Sequence, residues 1–183
     1  MNQSNQQEKT VSTRRIHEGR IINLREDVVL LPSGRQAKRE IVEHHGAVCI
    51  VPVLSDGRVV LVRQWRHPAE DALLEVPAGG LEKGEEPLEA ARRELIEECG
   101  YRTGRITPLY TAFLAPGYST ELMYAYVAED LAEGETDPDE DENVVVEIYP
   151  LNELMAMIYD GQIRDSKTIC GLLALHRQRI SQK

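Results

Sequence analysis

Short apolar runs broken by polar turns dominate the first half of the chain, and helical spacing appears only later. Asp27-Val28-Val29-Leu30-Leu31 leads into Pro32-Ser33-Gly34, and Ala37 to Glu43 follows. Two extended runs around a Pro-Ser-Gly turn read as paired strands. Residues 11–44 are therefore expected to form a β annex of hairpin type, after a polar, disordered stretch at residues 1–10. Ala47-Val48-Cys49-Ile50-Val51-Pro52-Val53 is apolar throughout and predicts a buried strand. Asp56-Gly57 predicts a tight turn, and Arg58 to Trp65 returns as its partner. Leu73–Val76, Ile106–Phe113, Leu122–Val127 and Val144–Tyr149 read as further strands. Three segments have helical spacing: Pro87–Cys99, Asn152–Tyr159 and Ser166–Gln178. In the first, Leu88, Ala91, Leu95 and Cys99 recur at intervals of three and four. Pro87 suits its first position and Gly100 its left-handed stop. Strands interspersed with helices, without regular βα alternation, predict a mixed sheet flanked by helices.

The chain has 183 residues, 42% of them apolar and 28% charged, which is ordinary for a folded domain with its own core. No run of about 18 apolar residues occurs, so no membrane span is expected. Cys49, Cys99 and Cys170 are widely spaced, which argues against a disulfide framework or a zinc site. With no signal-peptide pattern at the N-terminus, the cytoplasm is the expected compartment. The net charge of −10 argues against duplex nucleic acid as a partner. The excess is local: nine acids and no Lys or Arg lie between Glu129 and Glu142. A solvated loop and a cation site both fit such a run.

The helix at Pro87–Cys99 carries acids where a helix built for stability would not. Glu94 and Glu98 are four apart and repel by a few tenths of a kcal/mol. Glu94, Glu97 and Glu98 crowd the negative end of the helix dipole, which disfavours acids by about 0.3–1 kcal/mol each. A bound divalent cation reverses the sign of these terms, and oxygen ligands suit Mg²⁺ or Mn²⁺. Just upstream, Gly79, Gly80 and Gly84 mark an unusual loop, one able to bring backbone close to a ligand.

Read together, Gly79, Glu85, Arg93-Glu94-Leu95, Glu97-Glu98 and Gly100 fit G-x5-E-x7-R-E-U-x-E-E-x-G-U, so the segment resembles the Nudix box. Tyr101 departs from it, at a packing position where an aliphatic residue is usual. The resemblance implies an α/β/α sandwich with a mixed sheet over residues 45–183, the N-terminal annex beside it, and Mg²⁺- or Mn²⁺-dependent hydrolysis of nucleoside diphosphate compounds. It makes Glu94 and Glu98 the principal metal ligands and Glu97 a ligand or supporting acid. The Ala78 carbonyl is a further ligand. Arg93 holds the glutamates, and Glu85 ties the loop to the helix.

Four stretches outside the box resemble the ADP-ribose pyrophosphatase subfamily: Arg39-Glu40-Ile41-Val42-Glu43-His44, Arg63-Gln64-Trp65-Arg66, Phe113 to Glu121 with Pro116 fifteen residues past the box, and Pro138 to Glu142. The implied reaction cleaves ADP-ribose to AMP and ribose 5-phosphate, with two to three ions. Glu140 or Glu142 serves as general base, and the sequence does not choose between them. Arg66 grips a phosphate. Arg39, Glu40 and Ile21 touch the nucleoside, and Pro116, Gly117 and Glu121 line the substrate site. The annex is expected to pack across a homodimer. A related nucleotide-sugar hydrolase acting on GDP-mannose or ADP-glucose is the alternative, followed by a non-catalytic ligand sensor. His44, His45 and His67 read as structural or surface residues, and Trp65 and Cys99 as core.

Overall fold

The computed structural model describes residues 6–134 and 143–181. They fall into two compact units.

The first unit contains residues 1–46 and 113–122. Three strands, β1 (Lys9–Glu18), β2 (Asn23–Leu30) and β3 (Gln36–Glu43), form an antiparallel sheet in that order. The predicted turn closes β2 onto β3: Gly34 takes φ +81° and donates to the Leu31 carbonyl at 2.9 Å. The annex thus has one strand more than a hairpin. β1 escapes a pattern reading because all ten of its residues are exposed, so it has no buried face to impose alternation. Segment 113–122 is stitched to β3, where Val42 donates to Tyr118 O at 2.8 Å and accepts from Thr120 N at 3.0 Å.

The second unit contains residues 47–112 and 123–183. Its strands are β4 (Ala47–Pro52), β5 (Arg58–Arg66), β6 (Asp71–Glu75), β7 (Ala78–Gly80), β8 (Tyr101–Phe113), β9 (Leu122–Glu133) and β10 (Val144–Pro150). They make two sheets, β10-β5-β6 and β7-β4-β9-β8. β4 runs parallel to β9 and antiparallel to β7, so the second sheet is mixed. The helices are α1 (Pro87–Cys99), α2 (Leu151–Tyr159) and α3 (Ser166–Ser181). No helix among the described residues is long and apolar enough to cross a membrane.

Layering follows from strand alternation. Cys49, Val51 and Val53 of the β4 region, with Val59 and Leu61 of β5, pack with Leu154 of α2 and Leu172 and Leu175 of α3. Their neighbours Val48, Ile50, Val60 and Val62 pack with Ala90, Ala91, Leu95 and Cys99 of α1. Successive side chains point to opposite faces, so a strand apolar throughout must be covered on both. The result is an α/β/α sandwich. Burial on β5 ends at Val62, and Trp65 near its end is 58% exposed, not core as expected.

Candidate active site

The box loop is pinned to the sheet before α1 begins. β7 lies against β4, with Ala78 opposite Cys49 and Gly79 opposite Val48. α1 ends at Cys99, where Gly100 takes φ +70° and stops it. Its apolar face is held by the sheet, and the helical period carries Glu94 and Glu98 partly inward with it. Glu94 is 7% exposed and Glu98 1%. Glu98 Oε2 accepts the Ala78 N–H at 3.0 Å. A Cβ built on Gly79 would collide with the Glu94 carboxylate, so glycine here lets that carboxylate lie against the loop backbone, and a larger residue would displace it.

Arg93 organises the remaining acids. Its Nε and Nη2 donate to the two oxygens of Glu85, both at 3.0 Å. Nη1 donates to Glu94 Oε1 at 2.7 Å and Glu97 Oε2 at 2.8 Å, and Nη2 also reaches Gly80 O at 3.2 Å. All five N–H groups of the guanidinium thus have acceptors. The Arg93 hydrogen bonds hold Glu85 below the usual carboxylate pKa. Glu85 also accepts the Glu82 N–H at 3.0 Å, which ties the loop to the helix.

Arg66 stands at the end of β5. Its Nε and Nη2 donate to Glu75 Oε1 and Oε2, each at 2.8 Å. This fork uses one edge of the guanidinium and leaves the edge formed by Nη1 and Nη2 for another anion. Burial pushes the Glu75 carboxyl up in pKa, but Arg66 and Lys167 outweigh it and the net direction is down. The Glu98 charge also acts on Arg66.

The other expected substrate residues lie in the first unit. Ile21 is 64% exposed in the β1–β2 turn. Arg39 donates to Glu8 at 2.6 and 3.1 Å, an in-chain partner that its motif does not suggest. Arg39 and Glu40 are neighbours on β3 and so point to opposite faces of the sheet. Pro116 and Gly117 form the tip of a turn closed by Tyr118 N and Ser119 N on Ala115 O, at 3.1 and 2.8 Å. Glu121 follows that turn and donates its N–H to Ser119 Oγ at 3.1 Å. His44 serves structure, since its Nδ1 accepts Gly46 N–H at 3.1 Å. Glu140 and Glu142 lie outside the described residues.

Among the described residues, no three His, Cys, Asp or Glu side chains are already grouped as a metal cage. The donors present are two buried carboxylates and the backbone beside them. That all-oxygen set suits a small hard cation that keeps several of its waters. Pattern reading missed Glu75 and Lys167. The one local signal was an acid ending an apolar strand, Leu73-Leu74-Glu75.

Comparison with known proteins places the chain in a family. The NUDIX domain family matches residues 43–171, and the nucleoside diphosphate sugar hydrolase N-terminal domain matches residues 8–42. A methanol dehydrogenase activator of Bacillus methanolicus is 40% identical over 174 residues, covering 94% of each chain. An ADP-ribose pyrophosphatase of Bacillus subtilis (strain 168) is 39% identical over 178 residues, covering 96% of each. The crystal structure of an ADP compounds hydrolase superposes with a TM-score of 0.87 at 25% identity, covering 99% of this chain and 98% of that one. With a buried Glu94/Glu98 pair on the box helix and a family match over most of its length, this chain belongs to the NUDIX family.

Proposed function

We propose that the protein hydrolyses the pyrophosphate of ADP-ribose to AMP and ribose 5-phosphate. The observation that carries the reading is the pair of buried carboxylates, Glu94 and Glu98, four residues apart on α1 and held next to backbone at Gly79 and Ala78. Two acids at that spacing repel, and a cation held between them reverses the sign of that term. Similarity to an ADP-ribose pyrophosphatase over 96% of the chain supports the substrate.

Hydrolases of this family depend on a divalent metal. Glu94, Glu98 and the Ala78 carbonyl would hold two to three Mg²⁺ or Mn²⁺ ions, with Glu97 as a further ligand or support. A divalent cation held there would supply charge screening for the pyrophosphate, polarisation of phosphorus and a lowered pKa for the attacking water. Arg93 fixes Glu94 and Glu97 by direct hydrogen bonds. The free edge of Arg66 takes a phosphate oxygen pair. Ile21, Arg39 and Glu40 contact the nucleoside, and Pro116, Gly117 and Glu121 bound the substrate site. Glu140 or Glu142 removes the proton from the attacking water, a step worth about 10²–10⁴ in rate. The water oxygen bonds to phosphorus, the bridging P–O bond breaks, and the leaving phosphate carries off the electron pair.

We assign the working form as a cytoplasmic homodimer with the annex at the subunit boundary. A strand exposed along all ten residues, with Val11 and Ile16 on its surface, supports this, because uncovered edge strands invite pairing. Light scattering tests it: a monomer at assay concentration would remove the assignment.

Chromatographic product analysis tests the reaction. The protein is incubated with Mg²⁺ and, separately, ADP-ribose, GDP-mannose, ADP-glucose or NADH, beside a Glu98→Gln variant. AMP formed fastest from ADP-ribose and lost in the variant is expected. Faster cleavage of another compound would move the specificity, and no product from any would end the hydrolase reading.

A further inference from the structure

We infer that Lys167 is a positioning residue for substrate binding, fixing the phosphate-binding edge of Arg66 through the buried carboxylate of Glu75. The inference rests on the reading of Arg66 as a phosphate ligand.

Lys167 stands in the first turn of α3 and is only 8% exposed. Its Nζ bonds Glu75 Oε2 and lies 3.1 Å from Asp165 Oδ2. Glu75 is 1% exposed, and its two oxygens also accept the Nε and Nη2 of Arg66. Charges therefore alternate through Asp165, Lys167, Glu75 and Arg66, and the Glu98 charge acts on the last of them. A buried ammonium in a helix's first turn is disfavoured twice. It loses hydration, and it faces the positive end of the helix dipole. Neither disadvantage arises if an apolar side chain fills the position, so stability alone does not account for a lysine there.

The frame around Lys167 is rigid. Asp165 Oδ2 caps the helix, accepting from Thr168 N at 2.9 Å and Thr168 Oγ1 at 2.6 Å. Thr168 Oγ1 in turn accepts the Val76 N–H at 2.8 Å, and Tyr110 donates its hydroxyl to Lys167 O at 3.1 Å. The start of α3 is thereby fixed to the residue that follows Glu75. A fork between guanidinium and carboxylate is near planar, so a carboxylate held from two sides fixes the plane of Arg66 as well. The Nη1–Nη2 edge then meets its phosphate with little conformational entropy left to lose.

The test uses the full-length protein with Mg²⁺ and ADP-ribose, and four variants: Arg66→Ala, Lys167→Met, Lys167→Arg and the double Arg66→Ala/Lys167→Met. Calorimetric binding of ADP gives a readout without turnover. Lys167→Met is expected to raise KM, and to weaken ADP binding, by about five- to tenfold, with kcat within about twofold. Lys167→Arg restores most of the loss. The double variant binds no worse than Arg66→Ala alone, because the lysine acts only through the arginine. Full additivity in the double variant, or an unchanged KM in Lys167→Met, overturns the proposal while leaving Arg66 as a phosphate ligand. If Arg66→Ala itself leaves KM and ADP binding unchanged, the phosphate reading fails and the proposal with it. Should Lys167→Met not fold, Glu75→Gln enters the same cycle with the same expected non-additivity.

Discussion

Replacing Arg93 by lysine tests whether this residue is the framework of the acidic site. Arginine at this position uses five N–H donors on Glu85, Glu94, Glu97 and Gly80. Lysine keeps the charge but has three donors on a single atom, so at least two contacts are lost. A hydrogen bond to a charged group contributes about 1.5–3 kcal/mol. The Arg93 side chain is 29% exposed, and solvent screening reduces that figure. Two bonds at roughly 1–1.5 kcal/mol each give about 2–3 kcal/mol in all. For a chain of this size 1 kcal/mol moves Tm by ~2–4 °C, so a fall of about 4–12 °C is expected. Circular dichroism melts at neutral pH in EDTA measure it. Mg²⁺ should raise both melting temperatures, and that of wild type by at least as much, since a cation that binds only the folded state stabilises it by mass action and Arg93 holds two of the acids, Glu94 and Glu97, that would bind it. The pH dependence has a defined sign. Arg93 depresses the Glu85 pKa below its ordinary 4.5. That contribution is present above this value and disappears as pH falls through the folded pKa, so wild type and variant converge in acid. A Tm in EDTA within about 1 °C of wild type would refute the reasoning.

Three further outcomes follow from the geometry. Gly79→Ala should fold with a small change in Tm, because its clash is with the end of a flexible side chain. It should weaken Mn²⁺ binding by about 10–100-fold, read by electron paramagnetic resonance, and wild-type affinity would contradict it. Glu75 has a net depressed pKa despite burial, so its stabilising effect is present above about pH 4.5 and lost below. Glu75→Gln should flatten the acid limb of a plot of Tm against pH, and an unchanged limb would show that other carboxylates set it. Thiol titration of the native protein should find one fast thiol, Cys170. Cys99 is buried, and burial pushes the Cys49 thiol up to about 12. Three fast thiols without denaturant would mean that the core opens readily.

The box helix was legible because its information is local. A continuous segment, Gly79 to Tyr101, contains the loop glycines, the helix start, the acids and the stop. Spacings within one helix translate directly into faces, so the Glu94/Glu98 pair follows from the period alone. The turns at Gly34 and Gly57 were legible for the same reason, and both take positive φ. Apolar runs in β4 and β5 implied strands covered on both faces, which is the sandwich that the two core clusters form.

Other features depend on parts of the chain that meet only after folding. β1 has no alternating pattern and is a strand because β2 pairs with it. β7 has three residues, too short to show any period, and owes its place to β4. Trp65 has a core residue's composition but sits past the point where β5 is covered. The motif containing Arg66 suggested a phosphate ligand and gave no sign that a carboxylate nine residues on occupies one edge of its guanidinium.

By itself the sequence determined the longer elements of the sandwich, the loop and helix of the site, and the acids that a cation would join. Tertiary structure decided how deeply Glu94 and Glu98 are buried, which edge of Arg66 is left open, and that Lys167 meets Glu75 across 92 positions. The physical reason is one of range. Backbone period and turn chemistry act over a few residues and are written in adjacent positions. Desolvation and ion pairing act through space, and no spacing along the chain encodes which distant group will share a buried carboxylate.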